Sequence, residues 1–150
     1  MTELRVLHYD RDQKGVRQVK NSAMLSEALP GGVRLINVCH LKSFSGVVGL
    51  EDMLLDDPLP FDVAIVNGCS PDAYRVLESV KAGLELNSLS PSRIIYLCPD
   101  GSVSDNGVRA VPVGSNGYFV NSKNARQVVD RLVELSKVNS SESGPGFVMY

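Results

Sequence analysis

The stretch Phe61-Asp-Val-Ala-Ile-Val-Asn-Gly-Cys-Ser-Pro-Asp72 decides how this chain is read. Its apolar run, residues 63–66, stops abruptly at a polar cluster containing Gly68 and Pro71. A run this short and continuously apolar reads as a strand of a parallel sheet, buried on both faces. Such a strand delivers Asn67 to the carboxyl edge of the sheet, which is where open α/β sheets place their sites. Asn67 is the first candidate site residue.

Toward the N-terminus, residues 4–9 form a strand candidate that ends at Asp10-Arg11-Asp12. Val16, Val19, Ala23, Met24 and Ala28 then recur at helical spacing until Pro30-Gly31-Gly32. Residues 33–39 give a second strand, and a weaker helical pattern of Leu50, Met53 and Leu54 is broken at Asp56-Asp57-Pro58. Toward the C-terminus, a helix over about 73–82 leads through Ser90-Pro91-Ser92 to a fourth strand at 93–97. Strand and helix in alternation, joined by short loops, predict a parallel sheet covered on both faces.

The pattern changes after Pro99. Gly101, Gly107 and Gly114, with Pro112 inside an apolar run, argue against a regular helix over 99–113. Residues 108–113 read as an extended piece and Tyr118-Phe119-Val120 as a short fifth strand. Ser122 is the expected cap of a final helix with Ala125, Val128, Val129, Leu132 and Leu135 on one face. From Val138 the composition turns to Asn, Ser and Gly, so the expected organisation is one domain, 1–138, and a flexible tail, 139–150.

Composition narrows the function classes. A chain of 150 residues with 43% hydrophobic and 21% charged content suffices for one core without a disulfide or metal. A net charge of −2 and a pI near 5.6 give no general attraction to nucleic acid or anionic lipid, so neither is an expected partner. No apolar stretch approaches the ~20 residues of a membrane span. Met-Thr-Glu-Leu-Arg lacks signal-peptide character, which makes the cytoplasm the expected location. Cys39, Cys69 and Cys98 form no C-x-x-C pair, so no zinc site is indicated.

The element order, the acidic turn after the first strand and Asn67-Gly-Cys-Ser-Pro71 together resemble the receiver domain of bacterial response regulators (CheY-like), over about residues 4–137. The resemblance implies a flavodoxin-like, doubly wound five-stranded parallel sheet, here with a degenerate fourth helix. In that family a carboxylate ending the third strand accepts a phosphoryl group beside acidic magnesium ligands, with a Thr or Ser after strand four and a Lys after strand five. Position by position, Asp10 falls on the first acid, Arg11 on the second, Asn67 on the acceptor, Cys98 on the Thr or Ser and Asn121 on the Lys. Only Asp10 is retained. An Asn amide is not the anionic nucleophile that phosphoryl transfer to a carboxylate requires, and Arg11 puts a fixed cation where magnesium would sit. Asn121 is expected to meet Asn67 through amide hydrogen bonds.

These residues read as a neutralised site, with no catalytic residue, metal or cofactor expected. The expected function is a phosphorylation-independent pseudo-receiver, a protein–protein interaction module in signal transduction rather than an enzyme. Its partners would be proteins of a signalling pathway, a homodimer being one option. The surface around Pro112, Tyr118 and Phe119 is the candidate interface. The rival is a redox or small-ligand sensor in the crevice at the strand ends, with Cys39, Cys69 and Cys98 clustered there; three small buried hydrophobes is the plainer reading of those thiols. His8, inside a strand, reads as a buried structural histidine.

Overall fold

The computed structural model describes residues 2–10, 23–41, 61–70, 72–99 and 107–142. Among them are five strands: β1 (Thr2–Tyr9), β2 (Val33–Leu41), β3 (Val63–Asn67), β4 (Ile94–Pro99) and β5 (Arg109–Val113). All pairings are parallel and the order is β2-β1-β3-β4-β5. Three helices accompany them: α1 (23–28), α2 (Ala73–Leu86) and α3 (Ser122–Glu142). A single turn of 3-10 helix, Pro91–Arg93, precedes β4.

β3 is buried at every residue, which is why its sequence shows no alternation. The even-numbered and odd-numbered side chains of β1 go to opposite faces. Leu7 and Tyr9 join Ala64, Val66 and the α2 residues Val76, Leu77, Val80 and Leu84 in one core. Leu4 and Val6 join Val63, Ile65, Leu97, Leu25 of α1 and Val128, Val129 and Leu132 of α3 in the other. Each fully buried Val, Leu or Ile contributes ~1.5–3 kcal/mol by leaving water, so the sheet is held from both sides. At the amino edge Arg5 ties β1 to the entry of β3. Its backbone N–H donates to Asp62 Oδ2 at 2.8 Å, its Nη2 donates to Oδ1 at 2.9 Å, and the Asp62 N–H returns a bond to the Arg5 carbonyl at 2.7 Å.

Several boundaries differ from the sequence expectation. The fifth strand is 109–113, whereas Tyr118-Phe119-Val120 is loop. Pro112 lies inside β5 because β5 is the sheet edge, where a missing N–H costs no ladder bond on the open side. Residues 107–113 are turn and strand, while 100–106 lie outside the described residues. α3 does not stop at 138 but runs through Asn139–Glu142. Asn and Ser each cost only a few tenths of a kcal/mol to ~0.7 kcal/mol relative to Ala, and extending a formed helix needs no new nucleus. The helical pattern at Leu50–Leu54 falls outside the described residues.

Candidate functional site

The strand order reverses between β1 and β3, and the carboxyl ends of these two strands bring Asp10 and Asn67 together. Both are buried, at 0% and 1% exposure. Asn67 Nδ2 donates to Asp10 Oδ1 at 3.0 Å and to the Asn116 carbonyl at 3.3 Å, and Asn67 Oδ1 accepts from the Cys69 N–H at 3.0 Å. Both amide donors and the amide oxygen are thereby used inside the chain. Ser70, also buried, donates from Oγ to Asp10 Oδ1 at 3.4 Å.

A loop after β5 closes the site from above. The Gly117 N–H donates to the Gly114 carbonyl at 2.9 Å, the Gly114 N–H to the Tyr118 carbonyl at 3.3 Å and the Tyr118 N–H to Asn116 Oδ1 at 3.0 Å. Gly117 has φ +82°, and a Cβ there would overlap the Asn67 amide. Only glycine supplies both the left-handed conformation and the space. Gly68 is constrained in turn. A Cβ on it would lie 2.6 Å from Tyr96 Cζ and 2.7 Å from the Leu97 carbonyl oxygen, the acceptor of its own N–H. Burial pushes the Tyr96 phenol above its ordinary pKa, and the nearby Cys98 and Cys69 thiols push it the same way.

The other expected site residues divide. Cys98 is buried at 1% exposure beside the site, one residue past Leu97, the partner of Asn67. Arg11 lies outside the described residues, and with it the expectation that it fills the metal position. Asn121 is not in the site. It is exposed, and its Oδ1 accepts from the Asn124 N–H at 3.0 Å, making it, rather than Ser122, the cap of α3. The shift of the fifth strand explains this, because the strand-end position that the resemblance gives to Asn121 is held by Val113 and Gly114.

The three cysteines do not cluster. Cys39 is level with Leu7 and lies in β2, separated from β4 by β1 and β3, three strand spacings or ~14 Å. Of the candidate interface, Pro112 is exposed and Tyr118 half-buried, but Phe119 is buried at 9% in the α3-side core. His8 is buried at 1% exposure, in line with a structural role.

Sequence reasoning missed Asn116, Gly117 and Ser70. Asn116-Gly117 carries a turn signal, but no spacing in one chain tells which strand end a turn folds over. Among the described residues no group of three His, Cys, Asp or Glu is placed to hold a metal ion, and no helix is long and apolar enough to cross a membrane.

Fold and site together define an α/β protein with an all-parallel five-stranded sheet and a closed polar cluster at its switch point. No family model, curated protein or solved structure matches the chain.

Proposed function

We propose that this chain is a receiver-like signalling module with a neutralised acceptor site, which acts by binding another protein and not by carrying a phosphoryl group. The observation that carries this reading is Asn67 itself. It ends β3 at the switch point, buried, with an amide whose donors and acceptor are satisfied by Asp10, Asn116 and Cys69. A phosphoacceptor needs an anionic oxygen open to the donor and to a divalent ion, and this position offers neither. The strand order is the flavodoxin-like one, which supports the receiver resemblance.

An exposed apolar surface supports binding as the output. A groove of about 1000 Å3 runs between α1 and the first half of α3, with Met24 at 39% and Val120 at 57% exposure on its walls and Lys123, Arg126 and Asp130 around it. Phe119, buried, holds the Tyr118–Val120 segment from beneath. A sensor built on Cys39, Cys69 and Cys98 has less support, because Cys39 is remote and Cys98 is buried.

Two measurements test the reading. Intact mass after incubation with magnesium and acetyl phosphate is expected to be unchanged. It is also expected to be unchanged for Asn67→Asp, since Arg11 follows Asp10 where the resemblance places the second acid. A phosphoryl adduct on the wild-type chain overturns the proposal. A protein captured from the native cell should be lost with Val120→Asp at unchanged circular dichroism, and undiminished capture rejects this surface.

A further inference from the structure

The residue at the centre of the site is also half of a chemically labile pair. Asn67 is followed by Gly68, and the chain holds two further Asn-Gly pairs, at 106 and 116. In an Asn-Gly pair the main-chain nitrogen of the glycine, once deprotonated, attacks the side-chain Cγ of the asparagine. The Cγ–Nδ2 bond breaks and ammonia leaves, forming a five-membered succinimide. Water then opens either ring carbonyl, yielding aspartate or isoaspartate, with no oxidant or cofactor required.

We propose that Asn67 is a deamidation site gated by the 114–118 loop, and that its conversion opens the site irreversibly. Three features hold the reaction off in the closed state. The attacking nitrogen of Gly68 is tied by its N–H to the Leu97 carbonyl at 2.7 Å. The leaving nitrogen, Nδ2, is held by Asp10 and the Asn116 carbonyl. Asn67 also belongs to β3, and the ψ of ~+115° usual for a parallel strand points the following nitrogen away from Cγ. Gly68 is half-buried, but Gly117 lies directly on the Asn67 amide, so the buried Cγ becomes open to attack only when the loop carrying Asn116 and Gly117 lifts. Local opening of this kind sets the rate at which a buried group reacts.

The product does not close again. Aspartate at 67 has no N–H for the Asn116 carbonyl or for Asp10, and it sets a second carboxylate against the buried Asp10 oxygen that now accepts at 3.0 Å. Deamidation thus converts a closed switch point with one carboxyl group into an open one with two. The step depends on the hydrogen-bond geometry alone and stands apart from the receiver reading.

Peptide mapping for aspartate and isoaspartate at 67, 106 and 116, over time at mildly alkaline pH, tests the proposal. In native wild-type protein, conversion at 67 is expected to be at least ~10-fold slower than in urea, a factor that ~1.4 kcal/mol of opening free energy supplies. It should also trail Asn116, which is exposed. Gly117→Ala forces the loop off Asn67 and should speed native conversion at 67 severalfold, with faster labelling of Cys69 by a thiol reagent. If that variant does not fold, the native-to-urea ratio in the wild type decides. Equal rates at 67 in native and urea-unfolded protein overturn the proposal, as does conversion at 67 before 116. A folded Gly117→Ala with unaltered rate removes the loop as the gate.

Discussion

At the scale of single residues, the site is decided by an exchange of one oxygen for one nitrogen. Asn67 can donate twice and accept once in the same plane, which is what Asp10, the Asn116 carbonyl and the Cys69 N–H require of it. Aspartate there is nearly isosteric but acceptor-only, so it leaves the Asn116 carbonyl without its donor and faces a like charge. Asn67→Asp is expected to destabilise the fold by about 2–4 kcal/mol near neutral pH. The like charge raises the folded-state pKa of the pair above the unfolded value, so the like-charge part of the penalty is full only above that raised pKa, shrinks as pH falls through it and is gone below the unfolded carboxylate range. Urea denaturation at neutral and acidic pH measures this, and a penalty independent of pH contradicts the carboxylate pair.

At the scale of elements, caps carry the boundaries that periodicity leaves open. The helical stripe Ala73, Val76, Leu77, Val80, Leu84 predicts α2, and its end is set by a Schellman arrangement. The Leu89 N–H donates to the Leu84 carbonyl at 2.8 Å and the Ser88 N–H to Glu85 at 3.0 Å. The arrangement puts Ser88 at φ 58°, a conformation that favours glycine. Ser88→Gly is therefore expected to stabilise the protein by about 0.5–1 kcal/mol, read as a higher urea midpoint with unchanged m. A lower midpoint would mean that the Ser88 side chain contributes more than its backbone strain removes. The same reasoning explains Asn121: its side chain is used by the first turn of α3, so it is not available to the switch point.

At the scale of the molecule, the two cores share one sheet, and the central strand is common to both. Val63 to Val66 are at 0–1% exposure and Ile95 and Leu97 at 0%, whereas Arg109 and Pro112 of the edge strand β5 are exposed. Amides of β3 and the middle of β4 are expected to exchange only through global unfolding, and those of β5 and the Gly114–Tyr118 loop through smaller openings. Native-state hydrogen exchange across a denaturant series separates the two groups. Exchange of β3 and β5 at one common free energy would show that the loop does not open on its own.

The strand–helix alternation, the buried third strand and the arrival of Asn67 at a carboxyl edge were legible in the chain alone, because burial on both faces and helical amphipathicity are written in local residue order. Asp10 and Asn67 were placed in one site by the receiver resemblance, but the partner expected for the Asn67 amide was Asn121, and the structure supplies Asp10, the Asn116 carbonyl and the Cys69 N–H instead. Which stretch forms the fifth strand was not legible, since 108–113 and 118–120 are both short apolar runs and only pairing with β4 selects 109–113. That selection moved Asn121 out of the site and brought Asn116 and Gly117 in. The separation of Cys39 from Cys98 was likewise a matter of strand order. Sequence determined the elements through local periodicity; tertiary structure determined which loop covers Asn67, because that depends on contacts between residues 49 positions apart.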